Sequence, residues 1–294
     1  MRYIDIHCHL DSLDYDSDRE EVLARMGERE IGAITIGADL ESSKKAVDIA
    51  EQNENVWACI GVHPNHLIEK PDNIQKSQGE PLGVFFQGFP LEFSSLNIRE
   101  VETNSPGELF DKEKFSKLVK NPKVVGIGEC GLDYFRIKNE SEKEKQKKLF
   151  QDQIEFAIKH NKLLMLHIRN AYDDSLDILG SYKKTYGEKL KGNVHFFAGD
   201  VSVAKKFLDI GFSMSFTGVI TFTHDYDEVI KFIPQDSIMT ETDAPWVAPI
   251  PFRGKRNEPS YVIEVIKKLA EIRGENVEVL NNQILENAKR VFGI

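Results

Sequence analysis

Two histidines separated by one residue open the chemistry of this chain. His7 and His9 lie in Tyr3-Ile4-Asp5-Ile6-His7-Cys8-His9-Leu10, where apolar and polar residues alternate loosely, as in a short strand. Residues two apart on a strand share a face, so the two imidazoles are expected to point together with Asp5 behind them. Two neutral imidazoles converging at a strand end can hold one divalent cation, and a nearby carboxylate can orient them. Further polar groups recur at or near the ends of later apolar runs: His63, Glu129, His167, His195 and Asp243. Nitrogen and oxygen donors of this kind suit Zn, Mn or Mg. Five such residues and one shared carboxylate suffice for two ions. Two ions ~3.5–4 Å apart can activate a water and stabilise the attacking and leaving oxygens of a hydrolysis together.

The elements that must bring these residues together are short apolar runs separated by amphipathic stretches. The runs fall at 4–9, 32–37, 56–62, 124–128, 163–166, 193–197, 212–216 and 238–241, with helical patterns near 18–30, 42–53 and 141–160. Strands alternating with helices imply parallel pairing and an α/β fold. Eight repeats allow closure into a (β/α)8 TIM-type barrel, distorted or regular, whose C-terminal strand ends surround one mouth. An open doubly wound sheet is the competitor, and its Gly-x-Gly-x-x-Gly turn is missing after the first run. Residues 1–294 read as a single barrel. About sixty residues separate the third and fourth runs, roughly twice what a loop and helix need. The excess, 70–110, mixes Pro and Gly with Val84, Phe85, Phe86, Phe89, Leu91 and Phe93. It reads as an insertion after the third strand that packs on the body and could shape the mouth.

Composition bounds the function class. With 294 residues, 40% hydrophobic and 29% charged, the chain describes a globular protein with a sizeable core. No membrane-length apolar run and no signal peptide is evident. Three widely spaced cysteines, Cys8, Cys59 and Cys130, read as small core residues of a reducing compartment, which makes the cytoplasm the expected location. A net charge of −10 argues against a nucleic-acid coat protein but not against an enzyme with a local cationic pocket. No obligate protein partner is evident.

Taken together, the motifs resemble the TatD-related metal-dependent DNases, a branch of the amidohydrolase-like barrel enzymes. The resemblance is carried by Asp5-Ile6-His7-Cys8-His9, Gly61-Val62-His63-Pro64, Gly128-Glu129-Cys130-Gly131-Leu132-Asp133-Tyr134 and His167-Ile168-Arg169. It continues through Val194-His195-Phe196, Glu241-Thr242-Asp243-Ala244-Pro245-Trp246 and Arg253-Gly254-Lys255-Arg256-Asn257-Glu258-Pro259. It implies that His7, His9 and Asp243 hold a first divalent ion, that Glu129 bridges to a second, and that His167 and His195 complete the second. Asp243 would also act as general base on the attacking water. Arg253 and Arg256, with Arg169, would meet substrate phosphates, and His63 would face the substrate. Asn170, Phe196-Phe197-Ala198, Phe252 and the long 70–110 stretch depart from the family pattern, all on the substrate side.

The implied activity is a 3′–5′ exodeoxyribonuclease that uses two divalent ions (Mg, Mn or Zn), with DNA as substrate. An alternative keeps the ions and changes the bond: an ester or amide hydrolase such as a D-aminoacyl-tRNA deacylase, with aminoacyl-tRNA as partner. A remote third reading is a non-catalytic binding protein on the same barrel. It would require lost ligand positions, and all six proposed ligands are present.

Overall fold

The computed structural model describes residues 1–67, 110–135 and 137–294, together with the backbone of 83–86 and 89–92. Its strands are β1 (Tyr3–Cys8), β2 (Ile31–Ile36), β3 (Val56–Ile60), β4 (Gly83–Phe86), β5 (Phe89–Glu92), β6 (Val124–Asp133), β7 (Leu163–Arg169), β8 (Gly192–Val194), β9 (Phe212–Phe216) and β10 (Ile238–Thr240). Eight of them pair in parallel in the order β1-β2-β3-β6-β7-β8-β9-β10, while β4 and β5 form an antiparallel hairpin. The barrel strands are near-continuous apolar runs because helices cover the sheet from outside and side chains fill it from inside. β2 and β6 are buried at every position.

The seam between the last strand and the first is closed at the C-terminal end. His9 N donates to Ala244 O at 2.7 Å, and Asp243 N donates to His7 O at 2.9 Å. The buried Asp5 carboxylate reinforces that seam by accepting from Thr242 N at 2.9 Å and from the Thr242 hydroxyl. Asp5 therefore does not orient the imidazoles, as its place in the sequence suggested. The register of β1 against β2 shifts between Asp5 and Cys8, which breaks strict alternation between Asp5 and the histidines.

All eight expected runs are barrel strands, with shifted ends. The fourth extends past 128 to Asp133, so Glu129 sits inside a strand and not at its end. Its register against β7 shifts between Ile127 and Cys130. Gly128 has φ +153°, and a Cβ there would lie 2.4 Å from Met165 O. Only glycine fits that approach, and it fixes how the next residue, Glu129, is presented. The 70–110 insertion lies outside the described residues except for Phe110 and the hairpin backbone.

Helix Glu140–His160 starts on an Asn139 cap and ends on Asn161 in a left-handed conformation. Its buried face carries two glutamines that replace missing strand partners. The Gln153 side chain accepts from Val62 N and donates to Val62 O, both at 2.9 Å. Gln146 accepts from Asp133 N at 2.9 Å and donates to Asp133 O at 3.1 Å and Pro64 O at 3.3 Å. The two clamps fix the turn bearing His63 and the end of β6. Gln153→Leu leaves the buried N–H and C=O of Val62 unpaired and is expected to destabilise the fold by about 2–5 kcal/mol, read from the urea unfolding midpoint. An unchanged midpoint would mean that the clamp contributes nothing.

Candidate functional site

The barrel strands bring His7 from β1 and His9 from just beyond it, Glu129 from within β6, His167 from β7, and His195 and Asp243 from just beyond β8 and β10 around one point. The Glu129 carboxylate is the hub, with its two oxygens facing different histidines. Oε2 lies 3.7 Å from both His7 Nε2 and His9 Nε2. Those two nitrogens are 3.3 Å apart, and Asp243 Oδ1 lies 3.6 and 3.5 Å from them. An ion ~2.0–2.2 Å from tetrahedral donors holds them about 3.3–3.6 Å apart, so His7, His9 and Asp243 are spaced to share one, with Glu129 Oε2 just outside that range at 3.7 Å from the two imidazoles.

Oε1 faces the other way. It accepts from His167 Nδ1 and His195 Nε2, each at 2.8 Å, and these two nitrogens are 3.2 Å apart. These are hydrogen-bond spacings. An ion here would replace the two ring protons and open the group by a few tenths of an ångström. Burial favours a neutral carboxyl, but the surrounding imidazoles outweigh it and hold Glu129 well below the ordinary carboxylate range.

Backing hydrogen bonds choose which nitrogen each ring presents. His9 Nδ1 donates to Ile36 O at 2.9 Å, which leaves Nε2 to face the site. His167 Nε2 meets Asp133 Oδ2 at 3.1 Å, which turns Nδ1 toward Glu129. Burial alone would depress His167, but Asp133 and Glu129 raise it to about 8. Asp133 is itself anchored by Asn65 Nδ2 at 2.9 Å and Phe135 N at 3.0 Å. Sequence reasoning assigned Asp133 no role. Its signal was the spacing, because residues 129 and 133 of one strand share a face.

His63 enters the site with Nε2 at 3.5 Å from Glu129 Oε1. Asn65 N donates to its Nδ1 at 3.0 Å, so the ring proton sits on Nε2. Burial and then the His167 charge push the His63 pKa down to about 3, which leaves a neutral ring with an N–H donor aimed inward. His63, Glu129 and His167 also lie close enough to hold an ion, but the Asn65 bond occupies the lone pair His63 would need to turn its Nε2 into a ligand.

Asp243 adopts a left-handed backbone, φ 55°, a conformation that Asp and Asn tolerate better than most residues. Trp246 N donates to its carbonyl at 3.0 Å, and Asn257 Nδ2 holds Thr242 O at 2.9 Å and Trp246 O at 2.5 Å. The 253–259 block thus braces the loop that carries Asp243.

The arginines divide. Arg256 is not available to a phosphate. Both of its Nη atoms close on the Asp18 carboxylate at 2.7 and 2.6 Å, and Nη1 also donates to Asp14 O at 2.6 Å. Asp18 lies 238 residues away in sequence, so no local pattern announces the pair. Arg253 is exposed, with its guanidinium 3.7 Å from the centre of the Phe222 ring. Arg169 lies over Phe135, also at 3.7 Å.

A model of the family described as TatD related DNase matches residues 4–293. The chain belongs to that family. A relative from Bacillus subtilis (strain 168), named as the uncharacterized metal-dependent hydrolase YabD, is 33% identical over 293 residues, which span 99% of this chain and 98% of that protein. A Pantoea ananatis protein named 3′-5′ ssDNA/RNA exonuclease TatD is 29% identical over 300 residues, covering 99% of each chain. The crystal structure of YJJV, a TatD homolog from Escherichia coli K12, superposes with a TM-score of 0.79 at 24% identity, covering 100% of this chain and 98% of that one, and shows the shared barrel. The TatD-related chain is a metal-dependent hydrolase acting on ester bonds. Among its described residues, no helix is long and apolar enough to cross a membrane.

Proposed function

We propose that the protein is a 3′–5′ exodeoxyribonuclease with two divalent ions. The observation that carries this reading is the split of the Glu129 carboxylate, which offers one oxygen to His7 and His9 and the other to His167 and His195. His7, His9, Asp243 and Glu129 would hold one ion, and Glu129, His167 and His195 the other. Mg, Mn or Zn would supply Lewis acidity at the attacked phosphorus and acidify the attacking water. Asp243 takes the proton of that water. The His63 Nε2–H donates to a phosphate oxygen, and the exposed Arg253 offsets charge along the backbone of the DNA. The whole chain, 1–294, acts as one barrel with 70–110 inserted. A cytoplasmic location fits the three buried, unpaired cysteines. The exonuclease named among the relatives supports a nucleic-acid substrate.

The test uses metal-reconstituted protein and end-labelled single-stranded oligonucleotides blocked at one end or the other, with aminoacyl-tRNA in parallel. Degradation that continues with a blocked 5′ end and stops with a blocked 3′ end is the expected result. Faster release of an amino acid from the aminoacyl ester than of nucleotides from DNA would overturn the nuclease reading in favour of a deacylase.

A further inference from the structure

Behind the imidazoles lies another carboxylate, Glu241, fully buried and outside the six groups assigned to the ions. Each of its oxygens is held at short range. Oε1 accepts from Phe196 N, and Oε2 from the Ser215 hydroxyl, both at 2.6 Å. Ser215 Oγ accepts from Asn193 Nδ2 at 2.7 Å, and the Ser213 hydroxyl donates to Asn193 Oδ1 at 3.0 Å. The carboxylate is thereby fixed at the end of a polar file that runs down the barrel interior across β8 and β9. From there Oε1 faces His195 Nδ1 at 3.4 Å. A ring nitrogen of His7 belongs to the same group, with the His7, His195 and Glu241 atoms within 4.8 Å of one another.

Of the four imidazoles assigned to the ions, His9 and His167 have backing hydrogen bonds, to Ile36 O and Asp133. His7 and His195 do not. Their Nδ1 atoms are buried and make no hydrogen bond with a described residue. These same two rings stack face to face, with centroids 3.8 Å apart and planes 8° from parallel. Neither ring of a stack this tight can rotate without pushing the other. The two rings without backing bonds therefore move as one, and the fixed anion beside them is Glu241.

We propose that Glu241 is a positioning residue for both halves of the centre. It keeps a proton on His195 Nδ1, which leaves Nε2 as the nitrogen that meets a cation, and through the stack it sets the plane of His7. A carboxylate behind a ligand imidazole fixes its tautomer and its aim in this way. One buried anion then serves a ligand of each ion. The inference rests on the reading of Glu129 as a ligand shared by two ions.

Glu241→Gln in the full chain removes the charge and keeps the volume, and its amide can still meet Phe196 N and Ser215. Glu241→Ala is the harsher companion, and should it fail to fold, the glutamine variant carries the test. Two readouts are used. In chelator-competition titrations with Mn2+ or Zn2+, Glu241→Gln is expected to weaken the ion on the His167–His195 side by about 10–100-fold, with a smaller loss on the His7–His9–Asp243 side. In the ion-free protein, the imidazole ¹⁵N spectrum is expected to show a protected, protonated His195 Nδ1 that exchanges faster in the variant. Unchanged affinities and unchanged His195 resonances would overturn the proposal. A wild-type chain that binds fewer than two ions would instead defeat the dinuclear reading, while the ion-free spectrum still reports on Glu241 by itself.

Discussion

Glu129→Ala is expected to strip the protein of most of its bound metal and of measurable turnover together. Both oxygens of this carboxylate are committed, Oε2 at 3.7 Å from two imidazoles and Oε1 at 2.8 Å from two others. Removing it deletes a donor from each ion at once. It also leaves four imidazoles, three of them buried, facing one another without the anion that balances them, so two cations would have to be held against unrelieved repulsion. The loss should therefore exceed the ~10–100-fold typical of removing a group that only supports a ligand. Elemental analysis of the purified variant checks the metal, and oligonucleotide turnover checks the chemistry. Wild-type metal content would remove Glu129 from the ligand set.

Asp243→Asn should separate chemistry from structure. Asn tolerates the left-handed backbone at this position, and the two backbone bonds that hold it, to His7 O and from Trp246 N, do not involve the side chain. The amide keeps an oxygen that can face the first ion, but it cannot take a proton from water. Turnover is expected to fall by about 10²–10⁴-fold, the range for losing a positioned base, with the unfolding transition unchanged. A variant that degrades oligonucleotides at the wild-type rate would show that the proton goes elsewhere.

Much of this was legible because the relevant signals are local. Parallel strands of a covered sheet are continuous apolar runs, and a barrel gathers their ends, so residues as distant as His7 and Asp243 can be placed together from the sequence. His7 and His9 were readable from spacing alone. Asp5 shared that spacing, but a register shift inside β1 broke the period, and the carboxylate was drawn to Thr242 across the barrel seam. Arg256 was misread for a related reason. Guanidinium forks suit phosphates and carboxylates equally, and its carboxylate, Asp18, comes from the far end of the chain. Asp133 and Glu241 stood in plain view in their motifs, and spacing puts Asp133 on the strand face of Glu129, but spacing does not say which ring a carboxylate will orient. Its role appears only once the ring it faces is in place.

The most direct test of the central claim is an anomalous difference map from crystals of the protein grown or soaked with Mn2+ or Zn2+. The account predicts two peaks flanking the Glu129 carboxylate, one against His7, His9 and Asp243 and the other against His167 and His195. A single peak, or a second one out of reach of Glu129, would contradict it.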